Sequence, residues 1–305
     1  MMQGTKIENL LLLKVIDGDT VKVELEGKKE SLRLLSLDTE ESRGGGHKPV
    51  TNAGKLASAW AKQWFGTNEE GMPESDIRVN IEFDTADSVA TCLEKHRGNY
   101  GRLLCYVYKN DENYNLKAIE NGWSPYFIKY GRSRIYDDIF LDAETRAQAA
   151  TLGIWDETVN AGGKSRDYEH LQPWWHMRGS LVERFRNRGI AAGVKSVRLD
   201  YQEIVTAART GEKITVFCDL QGGIQHWPGD GAVIFAGSPQ HKFNLWVPDR
   251  YIKTGCRILR FIHNRYAGHG RGYIYVSGMV SLYRDKPQII LNTTGQLSDL
   301  PPSQR

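Results

Sequence analysis

The segment from Leu10 to Asp38, LLLLKVIDGDTVKVELEGKKESLRLLSLD, leaves the chain little choice of local structure. A DG turn at Asp17-Gly18 and a second turn over Glu26-Gly27-Lys28-Lys29 divide it into three pieces too short for ordinary helices. Val21, Val23 and Leu25 alternate with polar neighbours, the period of two expected for a half-buried strand. Three strands in immediate succession start a β structure. IRVNIEF (77–83) and RLLCYVYK (102–109), the latter entered through Tyr100-Gly101, supply two more strands.

Helical spacing sits between and after these runs. Leu56, Ala59, Trp60 and Trp64 lie on or near one face of a helix over 52–65. A short helix is expected over 114–121 and a longer one from about Asp137 to Leu152, stopped by Gly122 and Gly153. The Gly-rich Arg43–His47 stretch reads as a mobile loop. Five strands decorated by helices fit a small barrel of the OB type.

The 305 residues suffice for two domains. Gly162-Gly163-Lys164-Ser165 reads as a polar linker, followed by an aromatic anchor and basic helix in HLQPWWHMRGSLVERFRNRG. KITVFCDL, GAVIFAG, KFNLWVP, RILRFIH, RGYIYVSGMVSLY and PQIILNT then read as strands. The expected fold class is therefore mainly β with helices, as two OB-type barrels. The expected domains are 1–160, a linker and basic helix over 161–192, and 193–305.

Charge separates the halves. Residues 1–160 carry 20 Lys and Arg against 26 Asp and Glu, whereas residues 161–305 carry 20 against 11. An acidic half can hold a divalent cation while a basic half attracts a polyanion; compositional drift between domains is the plainer alternative. No apolar run approaches membrane-spanning length. The four cysteines show no metal-ligand spacing and read as buried free thiols. The N-terminus lacks a basic start and a small-residue cleavage site, so a cytoplasmic location is expected, although a trimmed leader would look the same.

Two acidic clusters stand where a barrel rim would be: Asp17-Gly18-Asp19-Thr20 at a turn, and Asp38-Thr39-Glu40-Glu41 after the third strand. Clustered carboxylates form an oxygen-only site suited to Ca²⁺ or Mg²⁺. DGDT alone is also an ordinary hairpin turn. Arg33 and Arg102 weigh against that, because carboxylates and guanidinium groups belong together when a phosphate lies between them. Strict alternation places Arg33 and Asp38 on opposite faces, so a bulge or bend is needed to unite them.

VIDGDTVKV (15–23), LRLLSLDTEE (32–41), AGKLASAWAK (53–62), YGRLLCYVY (100–108) and AETRAQAATLGIWD (143–156) resemble the staphylococcal nuclease family over about residues 8–156. The resemblance implies Ca²⁺ held by Asp19, Asp38 and the Thr39 backbone, with Glu41 as the active-site glutamate. It implies Arg33 and Arg102 as phosphate-binding arginines, and Tyr100 and Tyr130 as tyrosines lining a nucleotide groove. Glu40 stands where the family has proline, which adds a carboxylate and implies a looser backbone. The implied activity is metal-dependent endonucleolytic hydrolysis of DNA, with RNA as a further substrate, leaving 3′-phosphate ends.

The second half shows no comparable carboxylate set. Trp174, Trp175, Trp227, Trp246, Tyr266, Tyr273 and Tyr283 occur among Arg260, Arg265, Arg271 and Arg284, a pattern suited to stacking and charge-pairing with single-stranded nucleic acid. Trp246 and Tyr275 read better as core. Trp227, Arg265, Arg271 and Arg284 are the expected contacts there. Single-stranded substrate is accordingly favoured. The ending GMVSLYRDKPQIILNT resembles the closing hairpin of nucleic-acid-binding OB domains. The rival reading of the chain is a catalytically inactive nucleic-acid-binding or protein-docking scaffold.

Overall fold

Val15, Val21, Val23, Leu32 and Leu34 all point inward, at most 1% exposed, so the alternation in the first 38 residues serves a single interior. Each such side chain contributes about 1.5–3 kcal/mol relative to leaving it in water. The computed structural model describes residues 3–44, 48–160, 166–227, 229, 231–248, 257–267 and 272–302. They fall into two compact units, Met1–Gly98 with Arg102–His176, and Asn99–Gly101 with Met177–Arg305.

In the first unit β1 (Lys6–Asp17), β2 (Thr20–Leu25) and β3 (Lys28–Leu34) form an antiparallel meander. β4 (Arg78–Glu82) pairs antiparallel with β1 and with β5 (Leu103–Lys109), and β5 runs parallel to β3. The ring β1-β2-β3-β5-β4 is thereby closed, the wiring of an OB-like barrel. A short β6 (Glu112–Asn113) extends β5. The register slips between Val15 and Asp17, a bulge that bends β1 just before the DGDT turn.

α1 (Asn52–Phe65) crosses from β3 to β4. Thr51 caps it by accepting from Gly54 N at 3.0 Å, and Gly66, at φ 79°, closes it in the left-handed conformation. α2 (Val89–Lys95), α3 (Tyr114–Glu120), α4 (Asp137–Ala149) and α5 (Tyr168–Arg184) follow. Tyr168 and Trp175, on the first turns of α5, are buried in the first core.

The second unit repeats the same wiring. β7 (Lys195–Ser196) and α6 (Tyr201–Thr210) lead into β8 (Lys213–Trp227), β9 (Gly231–Ala236) and β10 (Asn244–Pro248). α7 (Arg257–Ile262) precedes β11 (Tyr273–Tyr283), β12 (Lys286–Ile290) and β13 (Leu297–Ser298). β8-β9-β10-β12-β11 closes as a ring, with β10 and β12 parallel. Both units are thus closed OB-like β barrels with interspersed helices.

Two local expectations change. RILRFIH is not a strand: Ile258 and Ile262 are buried one helical turn apart while Arg257, Arg260 and Phe261 face outward, so its period is four and not two. YQEIVTAART, passed over in the sequence, is the amphipathic α6, burying Ile204, Ala207 and Ala208. Cys92, Cys105 and Cys218 are buried free thiols, and Cys256 lies outside the described residues. The Gly162–Ser165 linker and Gly45–His47 also lie outside them. Among the described residues, no helix is long and apolar enough to cross a membrane.

Candidate active site

The bend demanded between Arg33 and Asp38 is present. β3 ends at Leu34, and Ser36 adopts φ 66°, so the chain folds back before Asp38 instead of alternating past it. Asp38 N then donates to the buried Ser124 Oγ at 2.8 Å. The DGDT turn is held against this segment. Tyr114 OH donates to Gly18 O at 2.7 Å, and a Cβ on Gly18 would lie 2.7 Å from Thr39 Cγ2. Only glycine lets the two acidic segments approach so closely.

Arg33 is the hub. It stands opposite Thr20 in the β2–β3 register, and its guanidinium bridges two carboxylates: Nη1 pairs with Asp19, and Nη2 with Asp38 Oδ1 at 2.7 Å. Buried among these carboxylates, its proton is bound more tightly than that of a free arginine: burial opposes the charge, and Asp19 and Asp38 more than offset it. Arg102, the residue before β5, donates from Nη1 to Thr20 Oγ1 at 3.0 Å, which places it beside the same turn. Thr20 Oγ1 in turn donates to Asp19 Oδ1 at 2.8 Å.

Two cations that the motifs did not single out complete the cluster. Lys48 Nζ lies 3.1 Å from Asp38 Oδ2 and 3.9 Å from Glu41 Oε1. Arg166 Nη1 donates to Asp38 Oδ2 at 2.6 Å and to Asp38 O at 3.0 Å, while Nη2 donates to Thr39 O at 2.8 Å. Burial alone would push the Asp38 carboxyl up. Arg166, then Lys48 and Arg33, override that and hold it well below the usual carboxylate range. Asp17 shifts the other way, raised by burial and by the charge of Asp19. Neither Lys48 nor Arg166 belongs to a periodic pattern, and neither could have been assigned from spacing.

Glu40 is not the loosely held extra carboxylate expected from the loss of proline. It is 1% exposed and accepts from Asn160 Nδ2 at 3.2 Å and Tyr168 OH at 2.9 Å, with Arg166 N at 3.4 Å. These bonds fix the backbone that proline would have stiffened. Glu41 is partly exposed, and its backbone is held by Thr51 N donating to Glu41 O at 3.1 Å. Tyr130 is half-buried and close enough to influence Arg33, whereas Tyr100 is 68% exposed.

Asp19, Asp38 and Thr39 O are hard oxygen donors and fit Ca²⁺ in kind. Among the described residues, no group of three or more His, Cys, Asp or Glu side chains is gathered closely enough to hold a metal ion. The physical reason is local, because guanidinium groups stand at the carboxylates that would have to converge.

In the second unit the expected nucleic-acid contacts divide. Trp227 is 50% exposed on β8, and the exposed Arg284 lies beside the Tyr283 ring, 5.3 Å from its centroid. Arg265 is exposed but engaged with Asp299, its Nε donating to Oδ2 at 3.0 Å. Arg271 lies outside the described residues. Trp175, Tyr266 and Tyr273, expected among the exposed aromatics, are buried, because each fills its own unit's core.

The model of the staphylococcal nuclease homologue family matches residues 31–157. The thermonuclease of Staphylococcus intermedius is 32% identical over 149 residues, covering 49% of this chain and 77% of that protein. The thermonuclease of Staphylococcus hyicus is 30% identical over 145 residues, covering 47% and 73%. Endonuclease YncB of Bacillus subtilis is 31% identical over 156 residues, covering 50% of this chain and 64% of its own length. The second barrel lies beyond the family match. Through its N-terminal half, with the Arg33 hub on the barrel rim, this chain belongs to the staphylococcal nuclease homologue family.

Proposed function

We propose that the N-terminal barrel is a Ca²⁺-dependent endonuclease acting on DNA and also on RNA, favouring single strands and leaving 3′-phosphate ends. The observation that carries this reading is the Arg33 bridge between Asp19 and Asp38, with Arg102 on the same turn through Thr20. Two guanidinium groups on one acidic rim suit a phosphodiester, whose oxygens they can grip bidentately. Asp19, Asp38 and Thr39 O would hold Ca²⁺, which supplies Lewis-acid polarisation of a phosphoryl oxygen.

The protein's own groups then have distinct tasks. Arg33 exchanges carboxylate partners for phosphate oxygens and stabilises the charge that builds in the transition state. Arg102 offers the same to the leaving 5′-oxygen. Glu41, partly exposed at the rim, orients or deprotonates water, a contribution of about 10²–10⁴-fold for a general base. Tyr130 and Tyr100 line the nucleotide groove. The second barrel adds grip through Trp227, Arg284, Arg265 and Arg271, stacking and charge-pairing with single strands.

Cleavage of single-stranded DNA, duplex DNA and RNA, with Ca²⁺ and with EDTA, tests the reading. Activity should require Ca²⁺ and fall by two orders of magnitude or more in Arg33→Ala, Arg102→Ala and Asp38→Ala proteins that remain folded. Binding without Ca²⁺-dependent cleavage would favour the inactive scaffold. Near-normal activity in any of the three variants would remove the assignment.

A further inference from the structure

The main chain before α5 sends a side chain back to the rim. Arg166 is well buried, its side chain only 11% exposed. Its guanidinium donates to the Asp38 carboxylate, the Asp38 carbonyl and the Thr39 carbonyl. The Asp38 carboxylate and the Thr39 carbonyl are the oxygens that would hold the cation. The contact is also anchored. Glu40, buried in the proline position, accepts from Arg166 N and Tyr168 OH, and Asn160 links Glu40 to α1 by accepting from Ala53 N at 2.9 Å.

We propose that Arg166 is an internal competitor for the divalent cation, so that displacement of its side chain controls loading of the Asp38–Thr39 site; this rests on the nuclease reading. Ca²⁺ binds oxygen at about 2.3–2.6 Å and needs the lone pairs turned toward it. A guanidinium donating at 2.6 Å to Asp38 Oδ2 and at 2.8 Å to Thr39 O already occupies a lone pair on each and sets a positive charge against both, so a second cation at the same two oxygens competes with it. Loading Ca²⁺ must therefore turn Arg166 away. The half-exposed Lys48 contrasts with this, because its long stem can swing into solvent without disturbing buried structure.

Titration calorimetry with CaCl₂ on the full chain decides the question, with fold monitored by circular dichroism and thermal melting. Arg166→Ala should bind Ca²⁺ about tenfold more tightly than wild type, equivalent to about 1.4 kcal/mol. Tyr168→Phe, a milder change that removes one donor from Glu40, should strengthen binding by a smaller factor and covers the case in which Arg166→Ala fails to fold. Direct displacement predicts that the gain persists at 1 M KCl, where long-range charge effects are screened within about 3 Å. Equal or weaker binding in folded variants, or a gain that vanishes in high salt, overturns the competition alone. No Ca²⁺ binding by any of the proteins overturns the metal reading, and the competition with it.

Discussion

Gly54, in the first turn of α1, offers a sharp test of how the rim is positioned. A Cβ there would lie 2.5 Å from the Glu41 carbonyl carbon, 2.8 Å from that of Glu40, and closer still to the Glu41 carbonyl oxygen. All three atoms are backbone, so no rotamer change relieves the clash. The Thr51 cap on Gly54 N resists movement of the helix start. Restoring ordinary carbon contacts of about 3.5 Å requires a displacement of roughly 1 Å. Overpacking of this kind costs about 1–3 kcal/mol, while alanine recovers about 1 kcal/mol of helix propensity. Gly54→Ala should therefore lose only about 0–2 kcal/mol in urea unfolding, a poor discriminator by itself. Cleavage discriminates better, because misplacing Glu41 by about 1 Å can cost about 10²-fold in rate. Lys55→Ala, on the exposed face of the same helix, serves as the control and should leave both quantities near wild type. If Gly54→Ala gains about 1 kcal/mol and cleaves within a few-fold of wild type, the close approach does not position Glu41.

Glu144, buried on α4, accepts from Tyr126 N at 2.9 Å and Gln172 Nε2 at 3.1 Å, and burial raises its carboxyl above the usual value. The folded state then binds more protons than the unfolded state just above the ordinary glutamate range, so stability falls as pH rises through that window. Glu144→Gln keeps the acceptor oxygen and loses the titration. Its urea stability relative to wild type should therefore rise with pH from 4 to 8, and a difference that is flat with pH would refute this account. In the second barrel, Trp227→Ala should weaken single-stranded DNA binding by about 1–3 kcal/mol, the value of one stacked base. Arg284→Ala should reduce the salt dependence of that binding by about one phosphate contact. Unchanged fluorescence-anisotropy titrations would refute nucleic-acid contact by these two residues.

Much of the fold was legible because burial in a barrel has period two and the turns carry glycine. Val21 and Val23 declared the interior of the first barrel, and α1 lies where helical spacing put it, at 52–65, although its buried face runs through Ala53, Ala57, Ala61 and Phe65 and leaves Leu56 exposed. RILRFIH misled because Ile258 and Ile262, four residues apart, satisfy either period over so short a run, and only the buried partners choose between them. Tyr266 and Tyr273 misled for a related reason. An aromatic beside an arginine has the same local sequence whether it faces solvent or the core. In the first unit the acidic rim was legible as two segments, but their meeting was not. It depends on Ser36 at positive φ, a conformation no side-chain pattern announces.

The Glu40 position shows where reading by motif stops. Sequence alone makes it a lost proline and a gained carboxylate, which suggests a looser rim with one more ligand. Folded, its carboxylate points away from that task and gathers Asn160, Arg166 N and Tyr168 OH from a segment 120 or more residues away. The stiffness that proline supplies by restricting φ is replaced by buried hydrogen bonds. The consequence differs in kind, because a proline would hold the rim alone, whereas Glu40 also draws in the chain that carries Arg166. Replacing Glu40 by proline should therefore separate two roles. The rim should keep its shape while the Arg166 segment loses its anchor, so Ca²⁺ affinity should rise as thermal stability falls. A variant in which the two fall together would show that Glu40 supports the rim itself and does not act through Arg166.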